Sequence, residues 1–550
     1  MCTTLIVTRG ASADGSAFVA HSDDDDLYDQ RLIQVPPQDH PEGAQRPVFG
    51  LCSRYPRLVT DERGPGYDTA GYPRTVPIGH IPQVQHTYGY FDGNYGVMNE
   101  HNLMIGECTN AATFQPPYVT AEQAVHTGRH MRIMHSEELS RIALERCTRA
   151  REAVALIGRL IDEYGLYDSG ETLLVADADE AWVFEMCALP HEEYHSAWVA
   201  QRVPDGHVFV AANEFRIRDI PLSGGTADIL VSPMLVAGVT ALGWWDPKSG
   251  SLDWLRAVSP GEYCHPYYSL RRVWRVLDRV NPDLCLSPWV DDGYTTAYPF
   301  SVAPSRPLAL TDVVALYRDH YEGTPFDLTR GPAAGPFGDP TRVYDPDADA
   351  ASSGGAWERP ISVFSQGYTY VNQARPGVPA STAGLVWFGP DVSYTTCFAP
   401  FPVRAPLPWS YQSGSPQVFD RAAAWWAFDF VANWARLNFQ RMTTVDIRPR
   451  QERYEREQLA TVARWDEACR GMTAADARAY LAKACEENAT ELLRRWWELA
   501  DTLVAKYSSG FVNPTDRADA RTIGYPAPWL LAVGYPDGPT TYAMTAPATG

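Results

Sequence analysis

MCTTLIVTRGASADGSAFVAHSDDDD, residues 1–26, decides how this chain is read. Thr3–Arg9 (TTLIVTR) is rich in β-formers, Ser12–Ser16 (SADGS) is a turn, and Ala17–Ala20 (AFVA) is a second apolar run ending at His21. This hairpin pattern places the extreme N-terminus in a sheet rather than in a frayed tail. The second residue is a cysteine. If Met1 is removed, which the small neighbour permits, Cys2 carries a thiol and a free α-amine. That amine, with an ordinary pKa of about 7.7–8.0, can act as general base for its own side chain. A thiol near 8.5 needs only modest help to ionise. The run Asp23–Asp26 reads as a solvated turn without EF-hand spacing. Its functional reading is that the hairpin brings one Asp beside Cys2, where it orients the terminal ammonium or a substrate amine.

Outward from the hairpin, residues 35–85 are punctuated by Pro and Gly and read as covering loop. Gly89–Cys108 reads as two strands around a turn at Asn99–Asn102. From Thr120 the apolar spacing turns helical, with Thr120 and Ser136 as N-caps and Gly165 as a C-cap. Strands return at Thr172–Ala176, Ala181–Met186, Ala197–Arg202 and His207–Ala212, with a tight DADE turn at 177–180. A helix is expected over Ser269–Val280, a surface loop over 330–358, and strands at Ser362–Asn372 and Gly384–Phe388. Helical tracts follow at 418–441 and 451–506. Strands and helices in blocks favour packed antiparallel sheets with flanking helices.

Of 550 residues, 45% are hydrophobic and 21% charged, the balance of an ordinary globular chain. With 46 basic against 67 acidic residues, a net −21, nucleic acid and anionic membrane surfaces are not expected partners. No apolar run approaches a membrane span. Ten cysteines without a CxxC suit a reduced, cytoplasmic protein with neither a disulfide scaffold nor a structural zinc site. No secretory leader is expected. His126 and His130 are spaced i, i+4 but lack the Glu of HExxH, so no metal is assigned. GxSxG, a helix-opening GxGxxG and a P-loop are absent, so no cofactor is expected.

The opening resembles that of the C69 (dipeptidase A) cysteine peptidases, N-terminal-nucleophile (Ntn) hydrolases related to penicillin V acylases, bile salt hydrolases and secernins. Further matches follow in order: GVMNEHNLMIGECTN (96–110), SEELSRIALERC (136–147), ETLLVADADEAWVFE (171–185) and WVAQRVPDGHVFVAANEFRI (198–217). YSLRRVWRVL (268–277), RPISVFSQGYTYVNQARP (359–376) and GLVWFGPDVSYTTCFAPF (384–401) complete the series. The resemblance implies an α+β fold, a four-layer αββα sandwich of two antiparallel sheets. It implies a core over 1–415 with inserted helices near 120–165, a helical extension over 416–510 and a surface-wrapping tail over 511–550. Cys2 is then the nucleophile, Asp24 sits near its amine, Asn213 helps form the oxyanion hole, and Arg272 (or Arg271) is the active-site arginine. His21, Asn99 and Glu107 are implied as substrate-binding. His21 stands where relatives usually carry Arg or Lys, which would make activation of the nucleophile pH-sensitive. The implied reaction is dipeptide hydrolysis through a thioester on Cys2, with Asp24 recognising the free amino group. The alternatives are an N-acyl amidase or acyltransferase on the same nucleophile, and a non-catalytic secernin-like protein. The helical surface at 451–506 leaves room for homo-oligomerisation.

Overall fold

The computed structural model describes residues 2–25, 28–117, 132–193, 195–221, 225–262, 267–343, 358–513 and 521–535. Its centre is the N-terminal hairpin. β1 (Cys2–Val7) and β2 (Ala17–Asp23) pair antiparallel, with Cys2 opposite Asp23, Thr4 opposite His21 and Val7 opposite Phe18. The strand β3 (Ile33–Val35) leads to β4 (Tyr90–Asp92), β5 (Gly96–Asn99) and β6 (Met104–Asn110). Next come β7 (Gly170–Ala176), β8 (Ala181–Ala188), β9 (Ser196–Arg202), β10 (Val208–Ala211) and β11 (Ile229–Val231). The last strands of the two large sheets are β12 (Ser301–Val302), β13 (Tyr368–Ala374), β14 (Gly384–Pro390) and β15 (Ala399–Pro402). One sheet runs β12-β10-β1-β2-β13-β14-β15 and the other β11-β9-β8-β7-β6-β5-β4-β3.

Two-residue alternation sorts the side chains into layers. Ile6, Val19, Met104, Leu174 and Phe209 share the core between the sheets. Leu5, Val7, Phe18 and Val210 face the other way, under α3 (Leu270–Val280) and α4 (Leu310–Tyr317). Leu173, Val175 and Phe184 of the second sheet face α1 (Ser136–Arg146) and α2 (Ala150–Tyr164). Fully burying each such side chain stabilises by about 1.5–3 kcal/mol. The result is the αββα order of layers, with further helices toward the C-terminus: α5 (Ala424–Ala435), α6 (Arg448–Cys469) and α7 (Ala474–Lys506).

Several local expectations shift. The tract 451–506 is two helices, because Gly471 takes φ +81° and the Thr473 hydroxyl then caps α7 by accepting from Asp476 N. Within the 35–85 loop, Gln45–Phe49 pairs with Pro77–Pro82 despite its prolines. The strand expected from Ser362 starts only at Tyr368. Ser136 is the first residue of α1 rather than its cap, and its N–H and hydroxyl both donate to Asp168 Oδ2. Gly165 does end α2, at φ +70°. The expected helix from Thr120, with His126 and His130, lies largely outside the described residues, as do parts of 330–358 and 511–550.

One irregularity positions the site. β6 pairs with β7 over seven residues but with β5 at Met104–Met98 alone. Beyond that pair the Asn372 amide of β13 donates to Val97 O at 2.8 Å and Ile105 O at 3.2 Å, and the Tyr370 hydroxyl donates to Ile105 O at 2.9 Å. Side chains of the facing sheet thus satisfy carbonyls on both banks of the opening.

Candidate active site

His21 reaches into this opening. Its ring meets Tyr95 edge-on at 5.9 Å on one bank and approaches Glu107 on the other, with Nδ1 2.9 Å from Glu107 O. Glu107 N also lies 3.4 Å from Nδ1; the much shorter carbonyl contact favours the tautomer with the proton on Nδ1 and a free lone pair on Nε2. Nε2 is buried without a hydrogen-bond partner. Burial lowers the His21 pKa from 6.5, so the ring is neutral at pH 7 and its charge change moves further into the acid range. The sensitivity near its ordinary pKa expected from the sequence is shifted because the ring is buried.

Cys2, at the first position of β1, is wholly buried and forms no disulfide among the described residues. Its thiol donates to Glu107 Oε2 at 3.0 Å, while Thr109 Oγ1 donates to Glu107 Oε1 at 2.9 Å. Both Glu107 oxygens act as acceptors, the pattern of a carboxylate. Burial first, and the Glu107 charge next, push the Cys2 thiol well above its usual range. Glu171, on β7, lies directly opposite Thr109 of β6. Burial, then Asp168 and Glu107, raise its carboxyl well above the ordinary range, and its Oε2 has no partner. Asp23, opposite Cys2, accepts from the Asn94 amide, and burial lifts its carboxyl to about 6. This side of Cys2 is crowded with acids.

The other side carries arginines. Asn213 follows β10 in the left-handed region, at φ +61°. Its N–H donates to Cys108 Sγ at 2.8 Å, and Cys108 Sγ donates to Cys2 O at 3.6 Å. Asn213 Nδ2 donates to Thr109 O at 2.6 Å, and Oδ1 accepts from Arg272 Nη2 at 2.8 Å and Arg359 Nη1 at 3.1 Å. Two guanidinium donors on Oδ1 fix which end of the amide is nitrogen, leaving the second Nδ2 proton for another acceptor. Arg272 Nη1 also donates to Cys2 O at 2.8 Å and Thr3 Oγ1 at 2.9 Å. Every one of these acceptors is neutral, and among the described residues Arg272 makes no ion pair. Arg271 points away, donating to Pro288 O and lying over Phe326 at 3.5 Å.

The hairpin and α3 therefore bring Cys2, His21, Asp24, Glu107, Asn213 and Arg272 into one network. Asp24 enters it through Arg359, whose Nη2 donates to Asp24 Oδ2 at 2.5 Å. The acid nearest the Cys2 sulfur is instead Glu107. Asn99 is not brought in. Its amide donates to Leu144 O and Cys147 O, and its oxygen accepts from His101 N and Leu103 N, so it ties its own turn to the end of α1. Arg359 and Glu171 are the network members that the sequence reading missed. Arg359 opens one of the matched segments, RPISVFSQGYTYVNQARP, and is its first basic residue, which was the available signal.

Residues 1–452 match peptidase family C69. The chain belongs to that family. Among relatives, the probable dipeptidase of Salmonella dublin is 26% identical to this C69 peptidase over 402 residues, covering 73% of this chain and 80% of that protein. The probable dipeptidase B of Lactococcus lactis subsp. lactis (strain IL1403) is 25% identical over 521 residues, covering 92% and 95%. The dipeptidase A of Lactobacillus helveticus is 22% identical over 394 residues, covering 71% and 73%. No described helix of this C69 peptidase is long and apolar enough to cross a membrane.

Proposed function

We propose that this chain is a dipeptidase that cleaves the peptide bond through a thioester on Cys2, as an Ntn hydrolase exposed by loss of Met1. The Cys2 α-amine takes the thiol proton, and Sγ attacks the scissile carbonyl carbon. The free Nδ2 proton of Asn213 meets the developing oxyanion, with the unpaired Arg272 charge behind it. A well-placed donor of this kind contributes about 3–4 kcal/mol to the transition state. The leaving amine takes the proton, and water then hydrolyses the thioester, releasing the N-terminal amino acid and restoring Cys2.

The observation that carries the dipeptide reading is the Glu107 carboxylate 3.0 Å from Cys2 Sγ. In a peptide whose first bond is cut, the α-ammonium nitrogen lies about 2.5 Å from the attacked carbon, by standard bond lengths. An anion touching the nucleophile is therefore where that ammonium needs its counter-charge. An N-acylated substrate would press an apolar group against the same buried acids, at a desolvation cost with no compensating bond. The three named relatives are all called dipeptidases, which supports the same reading.

The test pairs N-terminal sequencing with hydrolysis of a dipeptide panel and its N-acetyl counterparts. Loss of Met1, an inactive Cys2→Ala and a strong preference for free amines that Glu107→Gln erases are expected. Full activity of Cys2→Ala overturns the nucleophile. An undiminished free-amine preference in Glu107→Gln overturns the ammonium site.

A further inference from the structure

Cys2 Sγ, a ring nitrogen of His21 and a carboxylate oxygen of Glu107 all lie within 4.8 Å of one another, and all three residues are buried. A thiol, an imidazole and a carboxylate are a mixed soft and borderline donor set suited to Zn2+. A second observation points to a ligand. His21 Nε2 has its lone pair free and no partner, while Nδ1–H is held by the Glu107 carbonyl. A backbone carbonyl on the opposite ring nitrogen is the usual way a metal-binding histidine is oriented. Zinc bonds of about 2.0–2.3 Å put tetrahedral ligand atoms about 3.3–3.7 Å apart, so side-chain rotations of about an ångström close the set. Two anionic ligands neutralise the dication, which removes the main penalty for burying it.

We propose that Cys2, His21 and Glu107 form a zinc site that reversibly blocks the nucleophile. On binding, the Cys2 thiol loses its proton to solvent and its S–H···Glu107 bond is replaced by a zinc–thiolate bond, with no change of oxidation state. Neutral imidazole and carboxylate add without proton transfer, and a water fills the fourth position. Binding itself follows from the geometry. Only its inhibitory effect rests on the dipeptidase reading.

The probe is Zn2+ alone, added to full-length protein with its N-terminus defined by mass. Iodoacetamide labelling of the Cys2 peptide is followed by mass spectrometry, and Co2+ replaces Zn2+ for absorption spectra. One equivalent of Zn2+ should slow Cys2 alkylation at least about tenfold, EDTA should reverse this, and Co2+ should give a thiolate charge-transfer band lost in Cys2→Ser. His21→Asn should raise the zinc dissociation constant by about tenfold or more. If that variant does not fold, Glu107→Gln makes the same comparison. Unchanged Cys2 alkylation in excess Zn2+, or equal zinc affinity in wild type and the folded variant, overturns the site. Zinc protection of Cys2 in a protein that hydrolyses no dipeptide would keep this inference and overturn the proposed function. A dipeptidase whose Cys2 zinc leaves unprotected would do the reverse.

Discussion

Two buried ionic clusters lie on either side of Asn94, and they differ in one respect. Beneath α1, Glu138 accepts from Arg46 at 2.6 Å and from Arg63 at 2.7 and 2.8 Å, Glu145 accepts from Arg46 at 2.6 and 2.8 Å, and Asp92 accepts from Arg141 at 3.0 and 3.1 Å. Burial works against the Glu138 carboxylate, but Arg63, Arg46 and Arg141 together hold it far below the usual range. Around Cys2 the matching is incomplete: Arg359 pairs with Asp24, but among the described residues no arginine pairs with Asp23 or Glu171. Asp23, Asp24 and Glu171 each keep an oxygen with no hydrogen bond, and burial pushes Asp23 and Glu171 upward. Asn94 joins the two, since its carbonyl accepts from Arg141 at 2.8 Å and its amide donates to Asp23. The cluster beneath α1 pairs its acids with arginines and leaves only Arg63 Nη1 open, as one that serves the fold does, whereas the cluster around Cys2 leaves acid oxygens unmatched.

The contrast breaks most sharply if the matched cluster proves dispensable. Glu138→Gln leaves the buried Arg63 guanidinium without its anion and Arg46 with Glu145 alone, and should destabilise the protein by about 3–5 kcal/mol in urea unfolding, with activity per folded molecule little changed. A loss below about 1 kcal/mol would mean that the arginines are satisfied elsewhere. In the cluster around Cys2 the effects should reverse. Asn213→Ala should lower kcat by about 10²–10³ in steady-state assays, the range for losing one oxyanion donor. A change in KM alone would instead assign Asn213 to substrate binding.

The smallest effect is on pH dependence, and its sign separates the clusters. The Asp23 carboxyl titrates at about 6 in the fold against 3.8 ordinarily, so its protonated form favours the folded state. That stability is present below about pH 4 and lost as the pH rises through 6, a change on the order of 1–3 kcal/mol. Asp23→Asn should therefore flatten the fall in Tm between pH 4 and 6.5. Glu138, held low, contributes the opposite way: its stability is present above its unfolded value near 4.5 and lost as the pH falls toward the folded one. An Asp23→Asn profile parallel to wild type would remove the distinction at that residue.

The sequence by itself determined most of the elements and singled out Cys2 as the candidate nucleophile. The TTLIVTR and AFVA runs around an Asp-Gly turn gave the β1–β2 hairpin, and α2 and α3 followed from three- and four-residue spacing and their Gly and Pro stops, because these signals act between near neighbours in the chain. The ordered segments identified the family for the same reason. Tertiary structure decided the chemistry around Cys2. Glu107 meets it from 105 residues away, Arg272 from 270, and Arg359 reaches Asp24 across 335. Such contacts depend on how two sheets stack and on where β5 and β6 part, which no local period encodes. Asn99 shows the limit from the other side. It sits in a matched segment, yet its four hydrogen bonds hold a turn to the end of α1. Charge behaves likewise, since Glu138 and Glu171 are the same residue type and equally buried, and the arginines packed around Glu138, with none paired to Glu171 among the described residues, separate a structural acid from one in the network around Cys2.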